Sequence, residues 1–118
     1  MKKAIIAGLA ALFVSSVASA AVKPFDTEVV RTMISENFGE CMFKPSVGPR
    51  SQGLGCNDNW ITADCAGLLG GSKSLGKSKF DTILLAELTG STIRVRVDDG
   101  KTINGFCFVE QVQTVPAS

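Results

Sequence analysis

The chain has 118 residues, with 12 Lys and Arg against 11 Asp and Glu, no His and four Cys. This near-neutral balance gives no bulk electrostatic reason to bind nucleic acid or an anionic membrane surface. The absence of His leaves general acid–base chemistry to carboxylates, and a zinc site would need an all-Cys ligand set.

Met1-Lys2-Lys3, the apolar run Ala4 to Val14 and the small residues ending Ala18-Ser19-Ala20 have the layout of a secretory signal peptide. Cleavage is expected after Ala20. The apolar run is too short for an ordinary spanning helix, so no membrane insertion is expected after cleavage. No Cys follows the cleavage site, which argues against a lipid anchor. Residues 1–20 are thus read as signal peptide and residues 21–118 as one domain, periplasmic or secreted. Cys41, Cys56, Cys65 and Cys107 all fall in the exported part, and an even count there predicts two disulfides.

Ala21 to Asp26 read as a loose start, because Pro24 has no N–H to pair. Thr27 to Ser35 read as a first strand, rich in β-branched and apolar residues. Glu36-Asn37-Phe38-Gly39 is a turn, and Glu40 to Ser46 return as a second strand that Pro45 ends or holds at an edge. Val47 to Asn57 form an irregular loop with Gly48, Pro49, Gly53 and Gly55. Asn59 to Cys65 read as the third strand, and Ala66 to Lys77 as a Gly-rich connection.

Ser78 is placed to cap a helix with Asp81 in its first turn, and Phe80, Ile83, Leu84 and Leu88 recur at helical spacing as its apolar face. Gly90 ends it. Ile93, Val95 and Val97 then alternate with Thr92, Arg94 and Arg96, so the fourth strand has one buried and one cationic face. Asp98-Asp99-Gly100-Lys101 and Asn104-Gly105 are turn signals. Phe106 to Val112 form the fifth strand, and Pro116 with the last residues is expected to fray.

Three strands, a helix and two strands predict a mainly β, α+β fold. Specifically, they match a five-stranded Greek-key barrel of the oligonucleotide/oligosaccharide-binding (OB) type, with its helix between strands three and four. Spacing alone allows three disulfide pairings. In that barrel, however, strands two and three are antiparallel neighbours and strands three and five run parallel. The expected bridges are therefore Cys41–Cys65 and Cys56–Cys107.

Gly71 to Ser78 match the phosphate-loop pattern G-x-x-x-x-G-K-[ST] letter for letter. A small exported domain without a parallel sheet does not suit that role, and a flexible loop entering a capped helix accounts for the same letters. Ser74-Leu75-Gly76-Lys77 matches S-x-x-K but lacks its companion motifs. Asp98-Asp99 reads as a solvated turn rather than a carboxylate pair or a calcium site, and nothing fixes the geometry of Asp58 or Asp64. Trp60 can pack or stack on a sugar ring, and Arg94 and Arg96 can serve a binding surface. These three are the candidate ligand-binding residues. No catalytic residue, metal or cofactor is expected.

Glu40-Cys41-Met42-Phe43, the Trp60/Cys65 strand, the helix ending at Gly90, Ile93 to Asp99 and Asn104 to Phe108 together resemble small exported bacterial proteins related to the B subunits of pentameric AB-type toxins. Subtilase- and pertussis-like toxins are among these. The resemblance covers most of residues 21–118. It implies a barrel that assembles into homo-oligomeric rings and binds glycans. The expectation is a non-enzymatic glycan-binding protein, with a periplasmic protein-interaction module, inhibitor or assembly factor, as the alternative.

Overall fold

The computed structural model describes residues 20–116. The signal-peptide reading of residues 1–19 and the expected fraying of residues 117–118 lie outside them. Six strands, β1 (Val22–Thr27), β2 (Val29–Ser35), β3 (Glu40–Pro45), β4 (Ile61–Thr62), β5 (Ile93–Ile103) and β6 (Phe106–Thr114), and one helix, α1 (Lys73–Thr89), follow in chain order, with α1 between β4 and β5. The strands form one open sheet in the order β1-β5-β6-β4-β3-β2. Over the described residues the fold is therefore mainly β with one α-helix, with six strands instead of the five expected.

The extra strand is β1. The expected loose segment pairs antiparallel with β5 from Val22↔Asp98 to Thr27↔Ile93. Pro24 is tolerated because β1 stands at an end of the sheet order, where a missing N–H breaks no second ladder. A second difference lies at Asp98 to Lys101. They do not turn the chain but continue β5, and the hairpin turn is Asn104 (φ 52) with Gly105 (φ 84). The third strand is shorter than its sequence suggests. It ends at Thr62 because Asp64 takes a left-handed conformation (φ 57) and redirects the chain.

The helix begins earlier than expected. Ser72, not Ser78, is its cap, its hydroxyl accepting from Leu75 N–H at 3.1 Å, and Gly90 (φ 67) closes the other end. Gly76 makes the longer helix possible. A Cβ there would stand 2.5 Å from the Asp64 carbonyl oxygen and 3.0 Å from Cys65 Cα. Glycine costs a helix interior roughly 1 kcal/mol, and here it lets α1 pass directly over the Asp64–Cys65 backbone. Of the expected apolar face, Phe80 and Ile83 are buried and Leu84 is partly so, whereas Leu88 is 83% exposed. Ala86 takes the inward place in the last turns.

Phe80, Ile83 and Ala86 pack over a core that includes Phe43, Ile61, Ile93, Val95, Val97 and Val109. Burial of each large apolar side chain contributes about 1.5–3 kcal/mol. Both expected disulfides are present, Cys41–Cys65 and Cys56–Cys107, each with a Cα separation of 5.6 Å. They point to an oxidising environment, extracellular or periplasmic. Among the described residues no helix is long and apolar enough to cross a membrane.

Candidate functional site

The sheet keeps Trp60 apart from the other two sequence-predicted ligand residues, Arg94 and Arg96. Trp60 is half-buried immediately before β4. Since Ile61 pairs with Cys107, Arg96 with Gln111 and Arg94 with Gln113, Trp60 lies about five residues from Arg96 and about seven from Arg94 along β6. At ~3.3 Å per residue that is roughly 16 and 23 Å. Arg94 and Arg96 do share the outer face of β5 and, with Pro24, Gln111 and Gln113, line a shallow cleft of about 170 Å³. Both are already engaged. Arg94 grips Asp26 through two hydrogen bonds, at 2.8 and 3.2 Å, and Arg96 donates to Glu110 at 2.6 Å. The bond from Arg94 holds the Asp26 carboxyl below the usual carboxylate range.

The carboxylates singled out in the sequence serve the backbone. Asp58 accepts from Arg50 N–H, and Asp98 accepts from Gly100 N–H. Asp64 accepts from Leu68 and Leu69 N–H at 2.9 and 2.8 Å. Among the described residues no group of three or more His, Cys, Asp or Glu side chains converges for a metal ion. The phosphate-loop letters do not form a loop that could wrap a phosphate chain, because from Lys73 onward they are helical.

Polar groups instead converge in a cleft of about 200 Å³ where the start of α1 passes β6. Its chemistry comes from Asp64, Ser72, Lys79, Lys101, Phe108 and Glu110, with Gly70, Gly71 and Gly76 leaving the space open. Two irregularities in the β5–β6 ladder aim these side chains. Arg96 pairs with Gln111 and Val97 with Val109, so Glu110 is an extra residue on β6. Asp98 pairs with Phe108 and Thr102 with Cys107, so Asp99 to Lys101 bulge out of β5 and carry Lys101 towards Phe108. Bulges of this kind re-aim side chains and are common beside functional sites.

Lys79 is the centre of the cleft. Only 8% exposed, it donates from Nζ to Val109 O at 2.9 Å and stands 4.2 Å from the centroid of the Phe108 ring. That carbonyl lies one residue beyond the last β4–β6 pair, Thr62↔Phe108, so the ammonium serves it where the strand ladder stops. An ammonium has three N–H bonds, and the carbonyl takes one. Burial lowers the pKa of Lys79 below the ordinary lysine value, the charges of Asp64 and Glu110 oppose that shift, and Lys101 adds to it. Lys101 is 5.8 Å from the same ring and exposed. The result is a small recess with two ammonium groups, one carboxylate tied to Arg96, one carboxylate tied to backbone, and an aromatic wall.

The sequence reading missed this site because Lys79 and Lys101 carry no motif. Their juxtaposition depends on where β4 stops and where β5 bulges. No protein-family model, curated protein or solved structure matches the chain.

Proposed function

We propose that the protein is an exported, non-enzymatic glycan-binding domain whose sugar site is the Lys79 cleft. The observation that carries this reading is the convergence of Lys79, Lys101, Glu110 and the Phe108 ring on a recess the size of one small ring. It is smaller than the ~300–1,000 Å³ of drug-sized pockets. Charged donors and acceptors held by the fold suit hydroxyl groups, and the Phe108 ring beneath Lys79 fixes the place of that ammonium.

The reading includes a five-stranded OB-type barrel with α1 between its third and fourth strands. In support, β1 and β2 stand at opposite ends of the sheet order yet are separated in the chain by Glu28 alone. Taken as halves of one bent strand, they would close the sheet. Ser46 holds the bend, donating to Thr27 Oγ1 and to Glu28 O at 3.0 Å each. The order of strands and helix, the two disulfides and the Ala18-Ser19-Ala20 motif support the likeness to pentameric toxin B subunits.

A second reading, a protein-interaction module or a homo-oligomeric ring, is favoured by exposed apolar side chains on the α1/β2 side. Ile34 is 79%, Leu88 83% and Val30 54% exposed, and such a seam suits a macromolecular contact.

The test is a glycan screen on the mature, oxidised protein, followed by affinity measurements on variants. Lys101→Ala should weaken sugar binding about tenfold, or ~1.4 kcal/mol, with the melting temperature unchanged. The same loss in Arg94→Ala, Arg96→Ala or Trp60→Ala, with Lys101→Ala normal, would move the site to those residues. A screen with no saturable sugar, together with a multimeric mass by light scattering, would favour the second reading.

A further inference from the structure

We propose that Asp99 is the binding site for the α-ammonium group that leader cleavage creates at Ala21. The proposal rests on the reading of Ala18-Ser19-Ala20 as the cleavage motif. In the uncut chain the Ala21 nitrogen is an amide that donates to Asp99 Oδ1 at 2.6 Å. The Asp99 N–H returns a bond to the Ala21 carbonyl at 3.0 Å. The second carboxylate oxygen, Oδ2, accepts from Gly55 N–H at 2.9 Å. One side chain thus ties the start of β1 and the loop before Cys56 to the bulge of β5.

Hydrolysis by a signal peptidase adds the hydroxyl of one water to the Ala20 carbonyl carbon as its bond to the Ala21 nitrogen breaks. That nitrogen keeps the bonding pair. It takes the second hydrogen of the water and the proton released by the new Ala20 carboxyl group, and becomes an ammonium at neutral pH. It already stands at ion-pair distance from Asp99. A hydrogen bond from a neutral amide is replaced by one from a cation, which is the stronger kind. No backbone movement is required.

The surroundings support a carboxylate kept ionised for this partner. The N–H groups of Ala21 and Gly55 hold the Asp99 carboxyl below its ordinary range. The neighbouring charges are directed elsewhere. Asp98 accepts from Gly100 N–H, Arg50 donates to Cys56 O, and the Lys23 side chain runs beside Gly53. Gly100 also leaves the room in which Ala20 lies, since a Cβ there would be 2.6 Å from the Ala20 methyl carbon. Both sides of the bond to be cut therefore rest against the β5 bulge, and only the mature chain gains the ion pair.

The full chain is exported and processed by its own leader, and the mature mass identifies its first residue. A companion carries one Gly inserted between Ala20 and Ala21, so that processing leaves Ala21 as a neutral amide. Each is also made with Asp99→Asn. The amine of the Ala21-start protein should titrate above the ordinary ~7.7–8.0. Its melting temperature near neutral pH should exceed that of the Gly-extended protein by about 2–4 °C.

The raised amine contributes fully below its ordinary pKa and loses its contribution as pH rises through the raised value. The lowered Asp99 contributes above its ordinary range and loses its contribution as pH falls through the lowered value. Asp99→Asn should return the amine to its ordinary range and erase the difference between the two starts. An ordinary amine titration, or equal melting temperatures for the two starts, would overturn the ammonium site. A mature mass with another first residue overturns the cleavage reading instead, and protein given the Ala21 start by tag removal then decides the site.

Discussion

β4 and the β5–β6 ribbon lie side by side in the sheet and are held by different means. The ribbon pairs strands of eleven and nine residues and needs no covalent link between them. β4 has two residues, Ile61 and Thr62, yet it joins β3 to β6 and so holds the halves of the sheet together. Both disulfides flank it. Cys65, just past β4, is bridged to Cys41 on β3, and Cys56, just before it, is bridged to Cys107 on β6. Where the ladder is too short to hold a junction, the chain substitutes covalent bonds and close packing. The ladder can then stop early enough to leave the Lys79 cleft open.

The most severe way to break this arrangement is to remove a bridge. The linked residues are 51 apart for Cys56–Cys107 and 24 apart for Cys41–Cys65. The chain-entropy relation then gives costs of about 4 and about 3.5 kcal/mol. Cys56→Ala/Cys107→Ala and Cys41→Ala/Cys65→Ala should therefore lose similar stability in denaturant titrations. A loss below ~1 kcal/mol for either pair would mean that packing alone holds β4.

Gly76→Ala tests the packing half of the junction. On an exposed helix face the change would stabilise by roughly 1 kcal/mol. Here the added methyl meets the Asp64 carbonyl, and backbone cannot yield as a flexible side chain does. Overpacking of this kind costs about 1–3 kcal/mol, so net destabilisation is expected. A rise in melting temperature would show that α1 does not bear on the Asp64–Cys65 backbone.

The same contrast explains what the sequence could disclose. In the ribbon, Ile93, Val95 and Val97 alternate with Arg94 and Arg96, and alternation needs only a regular pleat, so the buried and cationic faces were legible. The disulfide pairing was legible too, since it follows from which strands are neighbours. The junction was not, because its features are departures from periodicity. Asp64 in a left-handed conformation ends β4 early, and a bulge at Asp99 to Lys101 reads in the letters as an Asp-Asp-Gly turn. Ser78, with Asp81 three residues on, reads as the cap until Gly76 is seen to fit over the backbone of Asp64. Pro24 concealed β1, and with it the partner of Arg94, because Asp26 lies 68 residues away in the chain. The candidate site inherits these departures. Lys79 and Lys101 meet at Phe108 only because β4 stops at Thr62 and β5 bulges after Asp98.

The mildest test concerns the ribbon's own outer clip. Arg94 binds Asp26 across the β1–β5 pair at the surface, where solvent screens the charges and long side chains lose entropy on pairing. Arg94→Ala should therefore shift the melting temperature at neutral pH by little, within about 2 °C. Its clearer signature is in titration. Asp26 is held below its ordinary range first by the hydrogen bond from Arg94 and then by its charge. Its contribution to stability is present above the ordinary carboxylate range and is lost as pH falls through the lowered value. In Arg94→Ala the Asp26 resonance should titrate back in the ordinary range, and stability should lose that part of its acid dependence. A large fall in stability at neutral pH would instead mean that this surface pair holds β1 to the ribbon. The ribbon would then depend on specific links as β4 does, and the contrast between the two regions would disappear.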